Sequence, residues 1–157
     1  MRVVGSNYRT QPLQVVQRAL ELQKEARRSA SGTVPFDDAW CVIDGDYGDK
    51  VGIARNAIND RTTHLAISTP CFEYWILLHF AESAQPAVDC NEVISILRAG
   101  PIPEYNKGIF DHSRIIDRAV DAASRARKLR EPRKAIDPLP EMHNPCSEIY
   151  LLIEELL

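Results

Sequence analysis

Two aspartates one residue apart, at the end of an apolar run, are the side chains of this sequence best suited to chemistry: Trp40-Cys-Val-Ile-Asp-Gly-Asp46. The run predicts a buried strand. Side chains alternate between faces inside a strand, so Asp44 and Asp46 can converge only where the backbone turns, and the glycine between them permits that turn. Carboxylate oxygens gathered at one point suit a hard divalent cation such as Mg²⁺, which takes oxygen ligands and keeps several waters. In open α/β sheets the ligand site lies just beyond the carboxyl ends of the strands, where this pair falls. Continued through Tyr47-Gly-Asp49, the same string also suits a polar, glycine-rich turn with no ligand at all.

A third carboxylate belongs on the same sheet edge. A further predicted strand, His64 to Ser68, runs into Thr69-Pro-Cys-Phe-Glu-Tyr-Trp-Ile-Leu-Leu-His-Phe80. Thr69 as cap and Pro70 as first helical residue would place Glu73 in the opening turn of a strongly apolar helix. Glu73 can then serve as a third metal ligand or an orienting carboxylate; complementing the helix dipole would equally justify an acid there. His79, between Leu78 and Phe80, reads as a hydrogen-bonded structural histidine before it reads as a catalyst.

The elements that must position these residues follow a strand–helix alternation. Arg2 to Gly5 predicts a short strand, Thr10-Gln-Pro-Leu opens a helix reaching about Arg28, and Ser29 to Pro35 is a small-residue loop. In that helix Leu13, Val16 and Leu20 recur at helical spacing, with Val15, Ala19 and Leu22 beside them. Ala39 to Ile43 is the central strand, Gly48 to Asp60 a second helix and His64 to Ser68 a third strand. Parallel pairing with right-handed crossovers, and hence a Rossmann-like α/β unit with a parallel sheet of about three strands and flanking helices, is the expected fold. The second half turns helical: Cys90 to Arg98, then Asp111 to about Arg130 with Ile115, Ile116, Ala119, Val120, Ala122, Ala123, Ala126 and Leu129 buried, then a last helix capped by Asn144-Pro145.

The bulk properties narrow the function classes. A chain of 157 residues, 45% hydrophobic and 26% charged, is expected to form a single domain with its own core, residues 1–82 as α/β core and 83–157 as helical portion. A net charge of −3 argues against nonspecific nucleic-acid coating. Cys41, Cys71, Cys90 and Cys146 form no CxxC pair and read as reduced cysteines. No apolar run approaches the roughly 20 residues of a membrane span, so a cytoplasmic protein without a membrane partner is expected. Within this acidic chain, Arg125, Arg127, Lys128, Arg130, Arg133 and Lys134 surround the single acid Glu131. Such a cluster suits either a solvated helix end or a surface for phosphates, and Lys107 is a second candidate for anion contact.

Taken in order, four blocks resemble the RloB-like proteins: Trp40-Cys-Val-Ile-Asp-Gly-Asp46; Ala66-Ile-Ser-Thr-Pro-Cys-Phe-Glu-Tyr-Trp-Ile-Leu-Leu-His-Phe80; Tyr105-Asn-Lys107; and Asn144-Pro-Cys-Ser147 before a terminal helix. That family includes the abortive-infection protein AbiLii and the TOPRIM-type effector of the PARIS anti-phage system. The resemblance covers nearly the whole chain, and its most specific part is Pro70-Cys-Phe-Glu-Tyr-Trp75. It implies a TOPRIM-related fold, a role in bacterial anti-phage defence, and a metal-dependent nuclease acting on tRNA or DNA, encoded beside an ATPase. Asp44 and Asp46 match the family's metal-binding aspartates and Glu73 its acidic residue. His79, Lys107 and Asn144 match further motif positions.

The resemblance has one gap. Family members usually begin with an extra strand and a loop of the form Glu-Gly-x-x-Thr-Glu, whose glutamate is the expected general acid or base; no such string precedes Met1. A missing inner strand would leave unpaired backbone edges, which favours a homodimer. Two readings result: a Mg²⁺-dependent nuclease with Asp44, Asp46 and Glu73 as its acids, or a non-catalytic, truncated subunit that binds a partner defence ATPase. A regulatory nucleotide-binding domain is disfavoured, because the chain has neither Gly-x-Gly-x-x-Gly nor a Walker loop.

Overall fold

A proline opens the first helix where its missing N–H has no partner to lose. In the computed structural model, which describes residues 3–5, 11–28 and 36–157, this helix is α1, Pro12–Arg28. Its buried positions Pro12, Val16, Gln23 and Ala26 follow helical spacing, whereas Leu13 and Leu20 are only half-buried. The expected cap Thr10 and the loop Ser29 to Pro35 lie outside the described residues.

The elements that follow are β1 (Ala39–Asp44), α2 (Asp49–Asn56), β2 (Thr63–Thr69), α3 (Phe72–Leu78), α4 (Cys90–Ala99), α5 (Ala119–Arg130), β3 (Cys146–Ser147) and α6 (Ile149–Leu156). The fold is α/β, with a three-stranded sheet in the order β1–β2–β3, flanking helices and a helical second half. The sheet is mixed. β1 runs parallel to β2, while β3 is antiparallel to it, pairing Ser147 with Ser68 and Cys146 with Thr69. The third strand therefore differs from the one expected at Arg2 to Gly5, and the central strand is β2, with Ala39 to Ile43, expected in the centre, at the edge because β3 adds to the other side of β2. Val3–Gly5 form no strand, and Arg2 lies outside the described residues. A two-residue strand carries no alternation, so periodicity could not reveal β3. β1 buries Cys41 and Ile43 and exposes Val42, whereas the second half of β2, Ala66 to Thr69, is buried at every residue, as befits a strand paired on both sides.

The backbone divides into two compact units. The first comprises the described parts of Met1–Ile43 and Tyr47–Leu65. Here Gln23, 4% exposed, donates from Nε2 to the Thr62 carbonyl at 3.2 Å and accepts from Thr63 Oγ1 at 3.0 Å, so its buried amide is satisfied. Asp60, expected at the end of α2, instead shapes the turn into β2 by accepting from the Thr62 amide at 2.8 Å and from the Thr62 hydroxyl at 3.1 Å.

The second unit comprises Asp44–Asp46 and Ala66–Leu157. Its centre is α3, buried from Glu73 to Leu78. Thr69–Pro70 is a cis peptide, and α3 begins at Phe72 with Cys71 as its cap, two residues later than the sequence suggests. The expected helix from Asp111 is broken into single turns, His112–Arg114 and Ile116–Arg118, before α5 starts. Asp111 accepts from the Ser113 amide at 3.0 Å, a local turn that competes with continuous helix. Ala122, Ala123 and Ala126 of α5 are buried as expected, but Ile116 and Val120 face solvent. The last helix starts only after β3. Asn144, rather than capping it, clasps Ala87, donating to its carbonyl at 2.7 Å and accepting from its amide at 3.4 Å.

Candidate functional site

The acidic residues are assembled inside the second unit by two chain reversals. β1 ends at Asp44, and the Gly45–Tyr47 turn carries Asp46, whose amide donates to the Pro70 carbonyl at 3.1 Å. Asp44 Oδ1 accepts from the Phe72 amide at 2.8 Å, so this half-buried carboxylate satisfies one of the open amides at the start of α3. Gly45 is required for space. A Cβ built there would collide with the Thr69 hydroxyl and lie 2.9 Å from Thr69 Cβ. The glycine thus serves close approach to β2, where the sequence suggested a turn.

Glu73 is 1% exposed and well compensated. Tyr105 donates its hydroxyl to Oε1 at 3.1 Å, and the Lys107 ammonium lies 3.2 Å from Oε1 and 3.3 Å from Oε2. The loop bearing these two residues is held by Arg98 Nε, which donates to the Tyr105 carbonyl at 2.9 Å, and the following Gly108 has φ 93°. Lys107, with 58% of its side chain exposed, bridges the buried acid to solvent.

The acids share one electrostatic field. Partial burial raises the Asp44 carboxyl above its usual range; the Phe72 amide and Lys107 oppose this, and Asp46 and Glu73 add to it. Asp46, though exposed on its turn, is raised in the same direction by desolvation, with Lys107 opposing and Glu73 adding. Aspartates destabilised by burial and by neighbouring acids are the arrangement a divalent cation relieves. Among the described residues, however, the trio whose ligand atoms all lie within 4.8 Å of one another is Cys71, Glu73 and Cys90, not Asp44, Asp46 and Glu73. A hard cation on the aspartates would therefore complete its shell with water, as Mg²⁺ does.

The two cysteines correct an expectation. Cys71 and Cys90 are joined by a disulfide, with Cα atoms 5.6 Å apart, whereas Cys41 and Cys146 are free and buried. Nineteen residues separate the pair in sequence, and no spacing motif announces it. The fold brings the cap of α3 against the first residue of α4, whose start is fixed by two acids: the cap Asp89 accepts from the Glu92 amide at 3.0 Å, and Glu92 accepts from the Val88 amide, one residue before the cap, at 2.6 Å. Cys90 Sγ rests 3.1 Å from Glu73 Oε2. Tyr105, Cys71 and Cys90 are the site residues missed by reading for chemistry, although Tyr105 stands in the block Tyr105-Asn-Lys107.

The other candidates lie elsewhere. His79, 3% exposed, donates Nδ1–H to the Trp75 carbonyl at 2.9 Å and meets the Trp75 ring edge-on at 4.9 Å. Burial lowers its pKa below the ordinary 6.5, so the native chain binds fewer protons there than the unfolded chain. Stability is then complete above pH 6.5 and falls as pH drops through that value toward the folded one. Urea titrations from about pH 7.5 down to about pH 5.5 are expected to show this loss, and His79→Gln is expected to flatten it. His143, lowered chiefly by burial and then by Arg133 and Arg130, contributes the same sign.

The basic segment is largely engaged within the unit. Arg125 donates to the Leu78 carbonyl at 2.8 Å, Arg127 pairs with Glu154 at 3.2 Å and Lys128 with Glu82 at 3.0 Å. Arg130 is 1% exposed, donating to the Asp137 and Pro138 carbonyls at 2.6 and 2.8 Å. Its guanidinium is thus turned inward, away from any phosphate at the surface. Lys128 and Arg133 line a cavity of about 180 Å³ with the buried His143.

Comparison with known proteins adds one finding. A family model described as RloB-like protein matches residues 2–156. Curated proteins and solved structures gave no match. The match spans essentially every residue from which the acidic site is built, and the chain belongs to the RloB-like protein family.

Proposed function

We propose that this chain is a Mg²⁺-dependent, TOPRIM-like nuclease of bacterial anti-phage defence, acting in the cytoplasm on RNA, tRNA in particular, or on DNA. One observation carries the reading: Asp44 and Asp46 flank Gly45 at the end of β1, the Phe72 amide at the start of α3 donates to Asp44, and on that helix the buried Glu73, paired with Lys107, adds to the raised carboxyls of both aspartates. Asp44 and Asp46 would hold the ion, and bound Mg²⁺ would supply charge stabilisation for the scissile phosphate and leaving oxygen. The protein's own groups prepare the site. The Phe72 amide orients Asp44, Tyr105 orients Glu73, and the exposed Lys107 stands where an incoming phosphate would meet it. Arg127 and Lys128, exposed and paired at the surface with Glu154 and Glu82, can exchange those partners for a nucleic-acid backbone.

Asp44→Asn with Asp46→Asn keeps an acceptor for the Phe72 amide, so the double variant is expected to fold while losing cleavage by at least about a hundredfold. Cleavage of tRNA and DNA by purified protein, beside circular dichroism, checks it, and undiminished cleavage by the folded variant would sink the assignment.

A second reading is a non-catalytic subunit docked on a defence ATPase. Ile116 and Val120, apolar, exposed and four residues apart, favour it. Mg²⁺ calorimetry separates the two, since no heat at millimolar metal supports docking. In either case a homodimer is proposed, because β1 lies at the sheet edge and its outer side has no strand partner among the described residues.

A further inference from the structure

We propose that Cys71, Cys90 and Glu73 form a second cation site, for a thiophilic divalent ion of the Zn²⁺ class, which opens when the disulfide is reduced and closes when it re-forms. The ligand atoms already lie within 4.8 Å of one another. Two sulfurs and one carboxylate are the donor set of a soft or borderline ion, in contrast to the all-oxygen aspartate pair that suits Mg²⁺. With Zn–S bonds of about 2.3 Å the sulfurs must part from bonded contact, and their Cα separation of 5.6 Å leaves room for side-chain rotation to do this.

Charge supports the same assignment. Two thiolates and the Glu73 carboxylate carry three negative charges, which the dication and the Lys107 ammonium together neutralise. Lys107 Nζ lies 3.9 Å from Cys90 Sγ, so its positive charge stands beside the ligand set. Cys90 is half-buried, so a small reductant can reach it, whereas Cys71 is sealed. The aspartates stay outside the trio, and only Glu73 is shared with the Mg²⁺ reading.

The redox step balances with a dithiol as co-reactant. One reductant thiolate attacks Cys90 Sγ, breaking the Cys71–Cys90 bond and forming a mixed disulfide while Cys71 takes the electron pair. The second reductant thiol then displaces Cys90 and closes the reductant's own disulfide. Two electrons reach the cysteines, and the ion replaces the two thiol protons. An oxidised low-molecular-weight disulfide runs the sequence in reverse.

Cd²⁺ alone is the probe, read by sulfur-to-metal charge-transfer absorption of the full chain. Chain reduced with dithiothreitol and desalted under nitrogen is expected to take up a single equivalent with a new absorption band. The oxidised chain and reduced Cys90→Ser are expected to show none, while Cys41→Ser and Cys146→Ser retain it. Absence of the band in the reduced wild type, or its persistence in Cys90→Ser, overturns the proposal. Should Cys90→Ser fail to fold, the oxidised wild type supplies the same comparison: a band of equal strength there overturns it too. Asp44→Asn with Asp46→Asn is expected to keep the band, so failure of the nuclease reading and failure of this site are told apart.

Discussion

Arg130→Ala is expected to destabilise the chain by about 3–5 kcal/mol, the usual cost of breaking a buried charged pair from one side. Arg130 is 1% exposed and forks two donors onto the successive carbonyls of Asp137 and Pro138, with Nε 3.6 Å from Glu148 Oε1. Alanine would leave two inward-facing carbonyls without this donor and remove a charge set against Glu148. Lysine preserves the charge but has no planar fork, so Arg130→Lys is expected to fall between alanine and wild type. Urea denaturation measures both. The functional contrast lies one turn away: Arg127→Ala and Lys128→Ala remove surface pairs and are expected to cost under about 1 kcal/mol each. If these two weaken nucleic-acid binding while Arg130→Ala merely unfolds the protein, the basic segment splits into a structural clamp and a contact surface. A stable Arg130→Ala would refute the clamp.

The second large effect is expected at Gly45. Alanine there would drive its methyl into Thr69, 2.9 Å from Cβ and 3.1 Å from the backbone Cα. Thr69 cannot swing away freely, since it is 5% exposed and donates its hydroxyl to the Pro140 carbonyl at 3.0 Å. The Asp44–Asp46 turn must therefore lift from β2, at a cost of about 1–3 kcal/mol in overpacking. Because Asp44 also holds the Phe72 amide and the Asp46 amide holds Pro70, the same movement displaces both carboxylates. Mg²⁺ affinity is expected to fall more steeply than thermal stability. Gly52→Ala is the internal control: it lies within α2 with no atom in reach of a new Cβ, and should stabilise the chain by up to about 1 kcal/mol. A Gly45→Ala protein with wild-type melting and metal binding would show that the turn does not depend on close approach.

Much of the fold is legible before any coordinates. Apolar runs and helix signals place α1, β1, β2, α4 and α5, because these elements bury whole faces and so repeat in sequence. The Asp44-Gly-Asp46 string and Glu73 are likewise legible, since they sit at element ends where acids stand out against apolar runs. The start of α3 is not legible, because Thr69 and Pro70 mimic a cap while the Asp44 carboxylate satisfies the Phe72 amide from a distant turn. Local propensity does not register a partner 28 residues away.

The sequence by itself determined an α/β chain of the RloB-like family whose acids stand at the end of one strand and the start of a helix, because hydrophobic periodicity and ordered motifs are local properties. Tertiary structure alone decided the antiparallel β3, the inward turn of Arg130, the ion pair of Lys107 with Glu73 and the joining of Cys71 to Cys90. Each depends on which remote segments meet, and a pairing at long separation leaves no periodic trace in the chain that makes it. Glu73 shows the difference most sharply: read in sequence it is one helix-start acid, and in the fold it is the residue on which an oxygen-rich site and a pair of sulfurs converge.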